Sequence, residues 1–125
     1  MKKLLLATVI FTAIAFVGSG CYNDKANELY PEGNCDTSNV TYSAVIGPII
    51  QTNCAYSGCH SATNPAGNIP MNDYAAVLTV VNNGRLIGTM NHESGFSPMP
   101  QGGVKLSDCI INKVRIWVNN GAQNN

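Results

Sequence analysis

Charge is scarce in this 125-residue sequence: only 11% of positions carry it, and seven Lys and Arg face seven Asp and Glu. A basic nucleic-acid binder is excluded, because its affinity rests on neutralising phosphates, and so is a charge-rich disordered chain. No apolar run reaches the roughly 20 residues of a membrane-spanning helix. The longest covers residues 4–17 and is interrupted by Thr8 and Thr12. Period-two alternation is nowhere sustained, which argues against a sheet. Internal repeats are absent, and the only compositional bias is a richness in Asn, a residue of turns and caps. The length allows one domain of ordinary size. The informative count is cysteine. Five is an odd number, so disulfide pairing within the chain leaves at least one with another use.

The N-terminus accounts for one cysteine. Lys2 and Lys3 precede the short apolar run, and Gly18, Ser19 and Gly20 follow it, immediately before Cys21. A basic head, a short apolar core and a small-residue exit predict a secretory signal over residues 1–20. The segment resembles the lipobox of bacterial lipoproteins, with Gly18 where that pattern carries a large aliphatic residue. The resemblance implies that Cys21 is acylated and becomes a lipid anchor on a bacterial membrane, facing the periplasm or the cell surface. Ordinary cleavage nearby, which leaves Cys21 free, is the alternative. Removing residues 1–20 leaves five basic against seven acidic side chains, a net charge of −2. Residues 21–34, polar and containing Pro31 and Gly33, read as a tether, with the domain proper over 35–125.

Three helices are expected in the domain. Residues 42–52 carry Val45, Ile46, Ile49 and Ile50 at helical spacing, and Pro48 fits only if it falls in the first turn. Residues 72–81 form a shorter candidate stopped by Asn82, Asn83 and Gly84. The last has Ser107 as N-cap, Asp108 at the positive end of the helix dipole and Gly121 at C′. Its stripe is Ile110, Val114, Trp117 and Val118. Residues 61–70 and 91–103 read as loop. The expected class is therefore all-α with long ordered loops, and such loops in a small domain call for a bound group to pack against.

Cys54, Cys59 and His60 carry the chemistry, in the order Cys54-Ala55-Tyr56-Ser57-Gly58-Cys59-His60. A c-type haem is held by two cysteine thioethers, and the His after the second cysteine supplies an axial nitrogen. The adjacency has a physical reason: a bond from Cys59 to the ring edge holds His60 beneath the iron. The common spacing has two residues between the cysteines and this chain has four, so the extra pair is expected to bulge outward at Ser57 and Gly58, where it is conformationally inexpensive. Two other readings use the same residues. One is a Cys54–Cys59 disulfide with His60 at the surface, as suits an exported protein. The other is a zinc site, which would have to recruit His92 and Cys109, since no second Cys/His cluster exists.

A His-bound haem iron commonly takes Met on its other face, where the thioether raises the potential. Met99, between Pro98 and Pro100, offers a sulfur on a proline-stiffened loop that loses little ordering entropy on ligation. Met71 and Met90 adjoin apolar stretches that would use them for packing. His92 is the remaining rival for the distal position.

Apolar helix, Cys-x4-Cys-His, long loop, Met-Pro and a terminal helix with Trp and Gly-Ala follow in that order. The sequence thereby resembles small class I c-type cytochromes, in particular lipoprotein cytochrome-like proteins of Bacteroidetes-type bacteria. The likeness covers residues 40–123 and rests on Pro48-Ile49-Ile50, Cys54, Cys59-His60, Asn83-Gly84-Arg85-Leu86, Ser97-Pro98-Met99-Pro100 and Trp117-Val118-Asn119-Asn120-Gly121-Ala122. It implies a cytochrome c fold in which the first and last helices cross at the edge of one covalently attached haem c. That fold brings Cys35, before the first helix, to Cys109, at the start of the last, and so implies a disulfide between them. Ile49, Ile50, Leu86, Phe96, Val114 and Trp117 are expected in pocket and core, with Arg85 toward a haem propionate or in solvent. The function expected is single-electron transfer between redox protein partners by a membrane-tethered, non-enzymatic carrier with no small-molecule substrate. The alternatives are a haem enzyme or small-ligand sensor with an open distal site, and a haem-free, disulfide-stapled surface lipoprotein.

Overall fold

A computed structural model describes residues 35–125, so the expected signal (1–20), the expected anchor Cys21 and the expected tether (21–34) lie outside the described residues. Within them the chain is helical and contains no strand, as the missing period-two pattern requires. There are four α-helices: α1 (Gly47–Asn53), α2 (Tyr74–Asn82), α3 (Arg85–Met90) and α4 (Asp108–Asn119).

The first expected helix is real but opens unusually. Thr41 caps it through Oγ1, which accepts from the Ala44 N–H at 3.3 Å. A wide π turn, Tyr42–Ile46, then runs directly into α1. The wide turn solves the Pro48 problem: Pro48 falls in the first turn of α1, where its missing N–H costs nothing. Gly47 at the junction permits the close approach, for a Cβ there would stand 3.1 Å from the Tyr42 carbonyl oxygen. Ile46 and Ile50 are fully buried, with Val45 and Ile49 half-buried beside them.

Asp73 caps α2, its Oδ1 accepting from the Ala76 N–H at 2.9 Å, and the helix buries Val77 and Val80. Asn83 and Gly84 end it as expected, but they also restart the chain. Gly84 takes φ +73°, the Asn83 Oδ1 accepts from the Arg85 N–H at 3.1 Å, and α3 follows at once. Six residues are too few to show a period, and so short a helix is held by packing rather than propensity. Leu86, Gly88 and Met90 are its buried members.

Helix α4 starts and stops where its caps dictate, with Ser107 accepting from the Ile110 N–H and Gly121 at φ +89° just past the end. Its buried line is Ile111, Val114 and Trp117, so the stripe is centred on Ile111 while Ile110 and Val118 flank it half-buried. Trp117 joins α4 to the rest. Tyr42 and Tyr74 lie against it with ring centroids 5.6 and 6.5 Å away, and 5.0 Å from each other. The indole N–H donates to the Gln123 carbonyl and the Tyr74 hydroxyl to that of Ala122, both at 2.9 Å. These polar tips are satisfied while the rings fill the core.

Cys35 and Cys109 form a disulfide, tying the segment before the π turn to the first turn of α4. A closure of 74 residues constrains the unfolded chain by about 4 kcal/mol on the loop-entropy model. Ile50, Leu86, Val114 and Trp117 are in the core as expected. Phe96 is not: it is 37% exposed and its ring lies flat over the backbone of α3, where a Cβ on Gly88 would stand 2.6 Å from it. The absence of a side chain at Gly88 gives the ring a surface seat and removes any need to enter the core.

Candidate functional site

Helix α1 ends with the Cys54 and Ala55 N–H groups both directed at the Ile50 carbonyl, at 2.8 and 2.9 Å. The chain then folds into a tight turn in which Cys59 N–H bonds Tyr56 C=O at 3.0 Å and His60 N–H bonds Cys54 C=O at 2.9 Å. Gly58 takes φ +84°, a conformation glycine adopts without steric cost. Tyr56, Ser57 and Gly58 are exposed, Ala55 is buried, and Cys54, Cys59 and His60 are half-buried. The spacer does not simply bulge away: Tyr56 and Gly58, though exposed, border the same space as Cys54, Cys59 and His60.

That space is a cavity of about 280 Å³. Such a volume is near the lower end of the roughly 300–1,000 Å³ typical of small-molecule sites. Cys54, Cys59 and His60 come to it from the turn after α1, Leu86 and Met90 from α3, and Met99 from the 91–103 loop. Ile69, Met71, Val80 and Leu106 complete the apolar lining. The rim is polar and exposed, formed by Asn83, Arg85, Ser97 and Gln101. Apolar walls under a polar rim are the make-up of small-molecule sites.

His60 is held from behind by the backbone. Its Nδ1 lies 2.8 Å from the Ile69 carbonyl oxygen. A carbonyl only accepts, so Nδ1 is the donor in this contact. Metal-bound histidines are held in just this way by a backbone carbonyl behind them. Ile69 was not legible as a functional residue; its one signal is Pro70, which biases the preceding residue to extended backbone and frees its carbonyl from helical bonding. The Met71 N–H returns to the His60 carbonyl at 2.8 Å and closes the arrangement.

The three methionines differ. Met71 and Met90 line the cavity but are buried members of the core, as their apolar surroundings suggested. Met99 is half-buried, outside the core cluster, on a loop fastened to α3 by its own N–H, which donates to the Thr89 carbonyl at 3.0 Å. His92, its rival, is not among the residues lining the cavity; its ring bonds the Met99 carbonyl instead. Arg85 stands exposed at the rim, with no acidic side chain paired to it among the described residues.

The geometry bears on the competing uses of these residues. Cys54 and Cys59 are free thiols. Cys109 is spent in the disulfide and His92 points its Nε2 at a backbone oxygen, so the helpers a zinc ion would need are engaged elsewhere. Among the described residues no group of three or more His, Cys, Asp or Glu is assembled for a bare metal ion.

Burial, then the adjacent Cys59, pushes the Cys54 thiol up to about 11. An unfolded thiol ionises near pH 9. Between these values the unfolded chain releases a proton that the folded chain retains, so stability falls as pH rises through the interval, by about 2–3 kcal/mol. Urea unfolding of haem-free protein at pH 8, 9, 10 and 11 is expected to show this loss, and Cys54→Ser to flatten it. An unchanged midpoint in the parent chain would contradict the buried thiol. A thioether carries no proton, so covalent attachment at Cys54 removes the same alkaline loss.

The chain matches no protein-family model, no curated protein and no solved structure at a significant level.

Proposed function

We propose that the chain is a monohaem c-type cytochrome with a cytochrome c-like fold, tethered to a bacterial membrane through Cys21 and passing single electrons between redox proteins. The observation that carries this reading is His60, whose Nδ1 bonds Ile69 O at 2.8 Å and which lines one cavity with Cys54, Cys59 and Met99. Haem c bound there supplies a one-electron iron couple. Cys54 and Cys59 would hold it covalently, His60 and Met99 would fill its axial positions, and Arg85 would meet a propionate at the rim. Val80, Leu86 and Met90 keep water from the ring, which limits reorganisation when charge changes. Two side-chain ligands from the chain would leave the iron to exchange electrons, the chemistry of a carrier rather than an enzyme. The contact between the π turn and α4, stapled by Cys35–Cys109, supports the pairing of first and last helices that this fold demands.

The test is the absorption spectrum of protein produced with an active haem-attachment pathway. Covalently bound haem with a weak far-red band from Met–Fe(III) ligation is expected. Colourless protein overturns the proposal and leaves the disulfide-stapled surface lipoprotein. Coloured protein without the band, readily binding cyanide or carbon monoxide, identifies the open-site enzyme or sensor instead.

A further inference from the structure

We infer that His92 is the positioning residue for Met99: its ring N–H holds the Met99 backbone so that the sulfur stays at the cavity wall. The inference rests on the reading of Met99 as an axial ligand. Two independent observations carry it. The His92 Nε2 lies 3.1 Å from the Met99 carbonyl oxygen, which only accepts, so the ring donates. The His92 backbone also sits at φ +56°, in the left-handed region where a side chain is unfavourable. A residue kept there persists when its surroundings over-determine it, and such positions cluster at sites where geometry is used.

The loop shows what the strain achieves. From α3 the chain reverses at Asn91 and His92, the Glu93 N–H returns to the Gly88 carbonyl at 3.0 Å, and the Phe96 ring lies over Gly88. Met99 is then gripped at both of its backbone polar groups, its N–H by the Thr89 carbonyl and its own carbonyl by His92. With the turn relaxed or the ring removed, only the Thr89 bond and the Phe96 contact would remain to set the height of the sulfur. A weak axial thioether is sensitive to such looseness, because every extra loop conformation competes with ligation.

The experiment uses the full chain carrying covalent haem, titrated with imidazole in the ferric state at one fixed pH, where imidazole displaces the methionine. His92→Asn removes the reach to the Met99 carbonyl while favouring left-handed backbone, so it tests positioning without weakening the turn. His92→Gly does the same should Asn fold poorly. Imidazole is expected to bind either variant roughly 5- to 10-fold more tightly than the parent, with a weaker far-red band and a thermal midpoint unchanged or raised. His92→Gln, whose amide N–H₂ has similar reach, is expected to return toward the parent affinity. Parent-like affinity and band in His92→Asn overturn the inference, as does a Gln variant no better than Asn. Persistence of the band in Met99→Ala overturns the ligand assignment itself, a result separable from the failure of His92 alone.

Discussion

Met99→Ala in the haem-loaded protein is expected to abolish the far-red band and lower the midpoint potential by on the order of 0.2 V, within the roughly 0.8 V that axial ligation spans. On the proposed ligation the Met99 thioether favours ferrous iron, and the other candidates are engaged elsewhere. Met71 and Met90 are buried among core side chains, and the ring of His92 is turned to a backbone oxygen outside the lining. The vacated position therefore goes to water or an added ligand, and cyanide binds the variant more readily than the parent. Redox titration with spectral monitoring reads both effects. A variant that keeps band and potential shows that Met99 is not the ligand.

Trp117→Ala is expected to cost about 3–5 kcal/mol, the largest loss of stability from any single side chain here. Trp117 is 1% exposed, it is the common neighbour of Tyr42 and Tyr74, and its N–H bonds the Gln123 carbonyl. Truncation opens a cavity where the π turn, α2 and α4 meet. Against the 5–15 kcal/mol of a typical small domain the loss is severe. Trp117→Phe restores part of it by refilling the space without the N–H. Urea unfolding measures both variants, and a cost below about 1 kcal/mol for Ala would contradict the packing described. Trp117 is absent from the cavity wall, so any folded fraction keeps the spectrum of the parent. The two substitutions thus separate ligation from folding.

Much of the fold follows from local signals. Ser107 and Gly121 mark helix ends by chemistry that acts within three or four residues, and each does so in the structure, whereas the Asp73 cap that starts α2 at Tyr74 went unread. The missing period-two pattern rightly excludes strands among residues 35–125. Illegible were α3, too short to show a period, and the placement of Phe96, which depends on a bare glycine eight residues earlier. The expected α4 stripe of Ile110, Val114, Trp117 and Val118 includes Val114 and Trp117 of the buried line but misses Ile111, because a stripe defines a face only to within one residue until a partner packs against it.

The same division holds at the site. Cys54, Cys59, His60 and Met99 stand out as candidates by residue type and spacing alone, and these do not depend on tertiary contact. The odd cysteine count is likewise plain in the chain, and with it the need for a use beyond pairing. The groups that orient those candidates emerge only in three dimensions. The Ile69 carbonyl behind His60, Thr89 and His92 about the Met99 peptide, and the pairing of Cys35 with Cys109 across 74 residues are all such cases. The physical reason is that donors are named by their side chains, whereas backbone acceptors are common to every residue and acquire a role only when folding brings one of them within hydrogen-bond reach.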